Sequence, residues 1–84
     1  MNITFKLFAS LTDYLPQAAR RGNLLALDVA PDAPISQIIE PFGLPPRLVH
    51  LVLVNGTYIQ PEARRPHTLH EGDVLAIWPP IAGG

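Results

Sequence analysis

Hydrophobic and polar residues alternate near the start of the chain in a way that predicts a β-hairpin. Apolar side chains occupy every second position across 2–8, and a period of two is typical of a strand with one buried face. A second alternating run follows at 24–30, close enough to pair antiparallel with the first. Between the two runs, Ser10 is predicted to cap a short helical turn that ends at Pro16.

The rest of the chain predicts one helix and three further strands. Apolar residues recur at helical spacing over 35–42, and this segment lies between a proline that favours a helix start and a glycine that favours a helix end. The β-branched segment 48–54 predicts a strand. The Asn55-Gly56 pair is a strong hairpin signal and predicts a short return strand over 57–59. The last strand is predicted over 74–78, where two prolines end it.

The order of these elements predicts an α+β fold. In a chain of 84 residues, the single main helix has to lie across one face of a mixed sheet. The first and last strands are then expected to pair in parallel at the centre of the sheet, joined by a crossover that contains the helix. This is the β-grasp, or ubiquitin-like, arrangement, and we expect one such domain over 1–84.

Composition and charge narrow the functional classes. The chain is 48% hydrophobic and 15% charged, with a formal net charge of -1, so it offers no basic field for nucleic acid. The pairs Arg20-Arg21 and Arg64-Arg65 are interpreted as solvated loop charges. There is no cysteine, which excludes a thiol nucleophile and a thiolate metal site. No segment resembles a membrane span or a signal peptide, so a cytoplasmic protein is expected.

The sequence ends in Gly83-Gly84, directly behind the apolar segment 78–82. Two glycines make a tail without side chains that adopts most backbone conformations, so 82–84 is expected to be flexible. Such a tail suits a free carboxylate that is handled inside another protein's active site. A frayed terminus or a remnant of cloning is the alternative interpretation.

Several segments together resemble the MoaD/ThiS family of sulfur-carrier proteins. They are 52–56 (VLVNG), 69–75 with its Gly-Asp pair just before a strand, and 78–84 (WPPIAGG). The ending is closest to that of the small subunit of molybdopterin synthase, and 7–9 (LFA) also resembles that branch. The resemblance extends in order and spacing over essentially the whole chain.

The resemblance implies a mechanism centred on Gly84, with Gly83 as part of the site. An adenylating enzyme would use ATP to activate the Gly84 carboxylate, and a sulfur donor protein would convert the adenylate to a thiocarboxylate. The large subunit of molybdopterin synthase would then hold the acceptor in molybdenum or tungsten cofactor assembly. No stably bound cofactor or metal is expected. The chain would be a sulfur-carrying subunit and not an enzyme on its own.

Strand parity predicts an exposed aromatic patch beside the tail. Leu75 and Ile77 should face the helix, which leaves Trp78 on the opposite face, with Phe8 beside it and Tyr58 on the same side. Exposed aromatic clusters typically mark interaction surfaces. If a bulge shifts the parity by one residue, these rings belong to the core instead. The resemblance implies that partner contacts continue along Pro79, Pro80 and Ile81.

Three other polar residues are interpreted as structural or solvated. His67 and His70 lie in a loop without a third ligand, so a solvated pair is favoured over a metal site. Asp73 follows a glycine and is interpreted as a turn former.

Two other functions fit the same fold and tail. One is a ubiquitin-like modifier that is joined through Gly84 to lysines of target proteins. The other is a binding module in which the tail has no role and the aromatic patch recruits a partner.

Overall fold

The computed structural model describes residues 1–80, which form one five-stranded mixed sheet with helices on one side of it. The strands are β1 (Asn2–Leu7), β2 (Leu24–Asp28), β3 (Leu51–Val54), β4 (Thr57–Tyr58) and β5 (Val74–Trp78), and the α-helix is α1 (Ile35–Ile39). Short 3-10 helices cover Ala9–Tyr14, Gln17–Ala19, Glu40–Phe42, Pro46–Leu48 and Pro61–Ala63.

The strand order is β2-β1-β5-β3-β4, with β1 and β5 parallel and all other neighbours antiparallel. The first and last strands therefore lie side by side in the middle of the sheet, and their connection contains α1. The predicted β-grasp fold is confirmed.

The core lies between the sheet and the helical segments. Phe5 is paired with Leu75, and Leu7 with Ile77, and all four side chains are fully buried. Ile35 and Ile38 of α1 are buried on the same side, together with residues of the long β1–β2 connection. A core assembled from both ends of the chain and its middle couples these segments into one cooperative unit.

The helix is shorter than its apolar period predicts. α1 ends at Ile39 and continues as a 3-10 turn over Glu40–Phe42. Pro41 has no N–H to donate to the carbonyl four residues earlier, so the chain tightens there. Gly43 follows with a φ of 68° and closes the turn, as the sequence predicts.

One further predicted boundary and one predicted helix cap are wrong. The strand predicted from Leu48 begins only at Leu51, because Pro46 starts a 3-10 turn that ends at Leu48. Ser10 does not cap the turn after β1. It lies inside the 3-10 helix Ala9–Tyr14, which begins without a side-chain cap.

Candidate functional site

The sheet face opposite α1 carries an aromatic pair at the end of the central strand, the half-buried Phe8 and the exposed Trp78. Phe8 donates its backbone N–H to the Ile77 carbonyl at 3.2 Å, which extends the pairing of β1 with β5 by one residue. The Phe8 and Trp78 rings are consequently stacked, with centroids 3.9 Å apart and planes 2° apart. Trp78 is 38% exposed. The predicted parity is confirmed, and both rings lie outside the core.

The strand register extends this surface across β3 and β4. Leu51 of β3 lies opposite Trp78 of β5. Leu53 is paired with Tyr58 of β4 on one side and with Ala76 of β5 on the other. Leu51 is 37% exposed and Tyr58 is 42% exposed. We call this surface the aromatic patch, and its members are Phe8, Leu51, Leu53, Tyr58 and Trp78; Ala76 shares this face but is buried.

Two leucines of the aromatic patch were not predicted as site residues. Val52 and Val54 are buried, so the alternation along β3 places Leu51 and Leu53 on the outer face. The signal was present in the sequence as a period of two. It was hidden because every residue of β3 is apolar, which leaves no polar position to mark the exposed side.

Arg64 fixes the β4 end of the aromatic patch. Its guanidinium donates hydrogen bonds to the carbonyls of Val49, His50 and Ile59 at 3.3, 2.9 and 3.0 Å. It also lies 5.7 Å from the Tyr58 ring centroid and 3.4 Å from the Tyr58 hydroxyl. The interpretation of Arg64 as a solvated charge is therefore wrong, since its planar guanidinium bonds carbonyls just before β3 and just after β4.

The Asn-Gly and Gly-Asp turns are joined by side-chain hydrogen bonds. The Asn55 amide donates to the Asp73 carboxylate at 2.9 Å and accepts from the Val74 N–H at 2.8 Å. Asp73 also accepts from the His70 N–H at 2.8 Å. Gly72 has a φ of 85°, a conformation that favours glycine. The predicted role of Asp73 as a turn former is confirmed, and the motif positions the start of β5.

These hydrogen bonds alter the titration of Asp73. The backbone N–H of His70 and the side-chain amide of Asn55 both stabilise the ionised carboxylate, and they lower the Asp73 pKa below its ordinary value of 3.8. The carboxylate is engaged by two donors, so it is built into the turn.

The histidines make no metal site in the part of the chain described. The His67 backbone accepts from the Ile35 N–H at 2.9 Å and so connects the loop to the start of α1. The exposed His70 ring lies 3.8 Å from the Asp73 carboxylate. Within residues 1–80, no group of three or more His, Cys, Asp or Glu side chains could hold a metal ion.

The chain leaves the sheet at the aromatic patch. β5 ends at Trp78, the next residue Pro79 is buried, and Pro80 is exposed. Pro79 was predicted to contact a partner, but its burial leaves Pro80 as the proline at the surface. The predicted site residues Ile81, Gly83 and Gly84 lie outside the described residues. Across 1–80, the helices are all too short or too polar to cross a membrane.

A family model described as Mut7-C ubiquitin matches residues 1–82. The chain belongs to the Mut7-C ubiquitin family. The matched residues include the sheet and the aromatic patch. No curated protein matches the sequence significantly.

Solved structures share the fold. SAMP1 from Haloferax volcanii is 24% identical, with full coverage of both chains and a TM-score of 0.66. The H. volcanii protein HVO 2177 is 23% identical over all of this chain and 87% of its own, with a TM-score of 0.74. A chain from the complex of subunits 1 and 2 of molybdopterin-converting factor from Helicobacter pylori is 14% identical, with full coverage of both chains and a TM-score of 0.58. The family and these folds agree with the predicted resemblance to MoaD/ThiS-like proteins.

Proposed function

We propose that this chain is a ubiquitin-like sulfur carrier that supplies sulfur for molybdopterin assembly. The observation that carries the proposal is the position of Trp78. It is both an exposed member of the aromatic patch and the last residue of the central strand, six residues before Gly84. If a partner docks on the aromatic patch, the tail of this chain would therefore lie beside the partner's active site.

The proposed chemistry takes place at the Gly84 carboxylate. Its oxygen attacks the α-phosphate of ATP, which forms an acyl-adenylate and releases pyrophosphate. A hydrosulfide ion then attacks the acyl carbon, the bond to AMP breaks, and the resulting thioacid loses its S–H proton to water, which leaves a thiocarboxylate. A carboxylate is a poor electrophile until it has such a leaving group. The thiocarboxylate sulfur is anionic and nucleophilic at neutral pH, as a thiolate is.

In the proposed reaction, the described residues provide a docking surface for partners and position the tail. Asp73 is bound within a turn, Arg64 bonds backbone carbonyls, and the His pair lies in the loop before β5. The activation and the sulfur transfer therefore belong to partners. We propose an adenylating enzyme, a sulfur donor protein and a larger synthase subunit. The H. pylori complex supports the last, because its two subunits form a protein–protein complex.

Conjugation to other proteins is the second candidate function. The likeness to SAMP1 favours this function, because a second structure of the H. volcanii protein names it small archaeal modifier protein 1. The two SAMP1 structures are 24% and 22% identical to this chain, against 14% for the molybdopterin-converting-factor chain. In that function a lysine amine, and not hydrosulfide, would attack the acyl-adenylate and give an isopeptide bond.

The test is a reconstituted reaction of the whole chain with ATP, sulfide and the activating enzyme of the same host. The wild type should gain a thiocarboxylate at Gly84, seen by fragment mass spectrometry. Gly83→Val should abolish the product, because a β-branched side chain obstructs a slot shaped for bare backbone. Gly22→Val is the matched control, since Gly22 is exposed and a Cβ there meets no atom within 4 Å.

The outcomes separate the candidate functions. A thiocarboxylate on the wild type and on Gly22→Val, but not on Gly83→Val, supports the carrier. An isopeptide bond between Gly84 and lysines, formed in the presence of sulfide and host extract, would favour the modifier. If the cellular function of the protein survives removal of Gly83 and Gly84, the carrier and the modifier are both contradicted, and the binding module is the remaining candidate.

A further inference from the structure

Strand β2 is an edge strand that pairs with β1 alone among residues 1–80. The hydrogen bonds at its ends fix which residues face β1. Met1 and Val29 exchange two bonds of 2.7 and 2.8 Å, and the Leu7 N–H donates to the Asn23 carbonyl at 3.2 Å. Pairs that exchange bonds alternate with pairs that do not along an antiparallel ladder.

This alternation assigns every backbone group of β2 to one side. Leu25 and Leu27 direct their N–H and C=O groups toward β1, as Asn23 and Val29 do at the two ends. Leu24, Ala26 and Asp28 direct theirs away from the sheet. In the described part of the chain, the outer side of β2 thus has three N–H donors and three C=O acceptors that no strand pairs with.

β2 has little of the protection that edge strands usually carry, since its one charged residue is the terminal Asp28. Natural edge strands are blunted by shortness, proline, an inward-pointing charge or a bulge. β4, at the opposite edge, is only two residues long. β2 has five residues, LLALD, paired without a bulge, and Leu24 is 47% exposed. Leu25 and Leu27 are only half-buried.

We propose that β2 pairs antiparallel with β2 of a second copy of this chain, centred on Ala26. In this register Ala26 lies opposite Ala26 of the second copy, and Leu24 lies opposite Asp28. The residues whose backbone groups point outward then all fall at hydrogen-bonded positions. Each copy donates three bonds and accepts three, and the two sheets become continuous.

The helix-facing side chains are complementary in the same register. Leu25 of one copy lies opposite Leu27 of the second on the helix-facing side, where cross-strand apolar pairs stabilise a sheet. An apolar groove of about 280 Å³ opens there, lined by Leu27, Ile38, Pro41 and Phe42 among others. Leu25 of the second copy is placed beside this groove.

The charges are also self-complementary. The exposed pair Arg20-Arg21 precedes β2. Two exposed carboxylates lie at its end and beyond it: Asp28, which is paired with the Met1 ammonium at 3.2 Å, and Asp32. Antiparallel pairing about Ala26 brings the basic end of each copy toward the acidic end of the other. Opposite charges so arranged favour this orientation over the parallel one.

Pairing through β2 leaves the aromatic patch accessible. β1 and β2 form one side of the sheet, whereas the patch centres on β5, β3 and β4. A two-fold axis between antiparallel strands is perpendicular to the sheet, so both patches would face the same side of the dimer.

Amide hydrogen exchange of the whole chain, followed by NMR at increasing concentration, tests this register. The amides of Leu24, Ala26 and Asp28 should gain protection as concentration rises, while those of Leu25 and Leu27 are protected throughout. Sedimentation should show a monomer–dimer equilibrium over the same range. A monomer up to about 1 mM, or an Ala26 amide protected equally at all concentrations, would overturn the proposal.

Ala26→Pro provides the matching variant. The Ala26 N–H points away from β1, so a proline there removes no bond within the chain but removes the two central bonds of the dimer. The dissociation constant should rise about 30-fold or more. Ala26→Val keeps the N–H and should still dimerise. A dimer that survives Ala26→Pro but is lost in Trp78→Ala would place the contact at the aromatic patch and contradict the proposal. If Ala26→Pro fails to fold, the exchange pattern of the wild type decides.

Discussion

Replacing Asp73 by asparagine should destabilise the chain through the two joined turns. The carboxylate accepts hydrogen bonds from the His70 N–H at 2.8 Å and from the Asn55 amide at 2.9 Å. An asparagine has one acceptor oxygen, so one of these donors loses its partner or meets a second N–H. A hydrogen bond to a charged group contributes about 1.5–3 kcal/mol when well shielded. The Asp73 side chain is 14% exposed and one bond survives, so we expect a loss of about 1–2 kcal/mol at neutral pH.

The effect of Asp73→Asn should depend on pH in a definite direction. The folded-state pKa of Asp73 is lowered from 3.8, first by the His70 N–H and then by the Asn55 amide. A lowered folded pKa means that the ionised carboxylate contributes stability above the unfolded value of 3.8. That stability is lost as the pH falls through the folded value. The difference between wild type and variant should therefore be constant near neutral pH and shrink below 3.8.

Denaturant unfolding at a series of pH values measures this difference directly. Asp13→Asn is the control for removal of one negative charge, since Asp13 is exposed in the turn after β1. It should change the free energy of unfolding by less than about 0.5 kcal/mol. If the wild type and Asp73→Asn differ in free energy of unfolding by the same amount at pH 7 and at about pH 2, the ionised carboxylate is not the source of the stabilisation.

Two further substitutions test the aromatic patch and its support. Trp78→Ala should cost about 0.5–1.5 kcal/mol of stability through the lost Phe8 stack, but weaken binding to the activating enzyme by about tenfold or more. Unchanged affinity in calorimetry would mean that Trp78 does not dock. Arg64→Lys should lower the free energy of unfolding by about 1–2 kcal/mol, because an ammonium cannot span three carbonyls. Arg65→Lys, at an exposed neighbour, should leave unfolding unchanged, and equal effects of the two would contradict the role given to Arg64.

The sequence predicts the sheet and its two faces because alternation and strand order are local signals. The parity of β5 places Trp78 outside and Ile77 inside, and the structure agrees. Element ends are predicted less well, since Pro41 and Pro46 act on hydrogen bonds that hydrophobic spacing does not report. Periodicity indicates where a helix or strand can exist, whereas the backbone donors decide where it stops.

The parts of the site that could not be predicted depend on contacts distant in the sequence. Arg64 bonds carbonyls up to 15 residues away, and no local pattern distinguishes it from the exposed Arg65. The hydrogen bonds of Asn55 to Asp73 and Val74 similarly connect two turns that look independent in the sequence. These interactions exist only once the sheet has brought β3, β4 and β5 together.

The most direct test of the proposed function is iodoacetamide labelling of the protein purified without reductant from its own host. The chain contains no cysteine, so fast labelling reports a thiocarboxylate. Fragment spectra are required, because sulfur in place of oxygen adds nearly the same mass as oxidation of Met1. The sulfur-carrier proposal predicts a label that maps to Gly84. A Gly84 that stays unlabelled, even after incubation with ATP, sulfide and the activating enzyme, would contradict it.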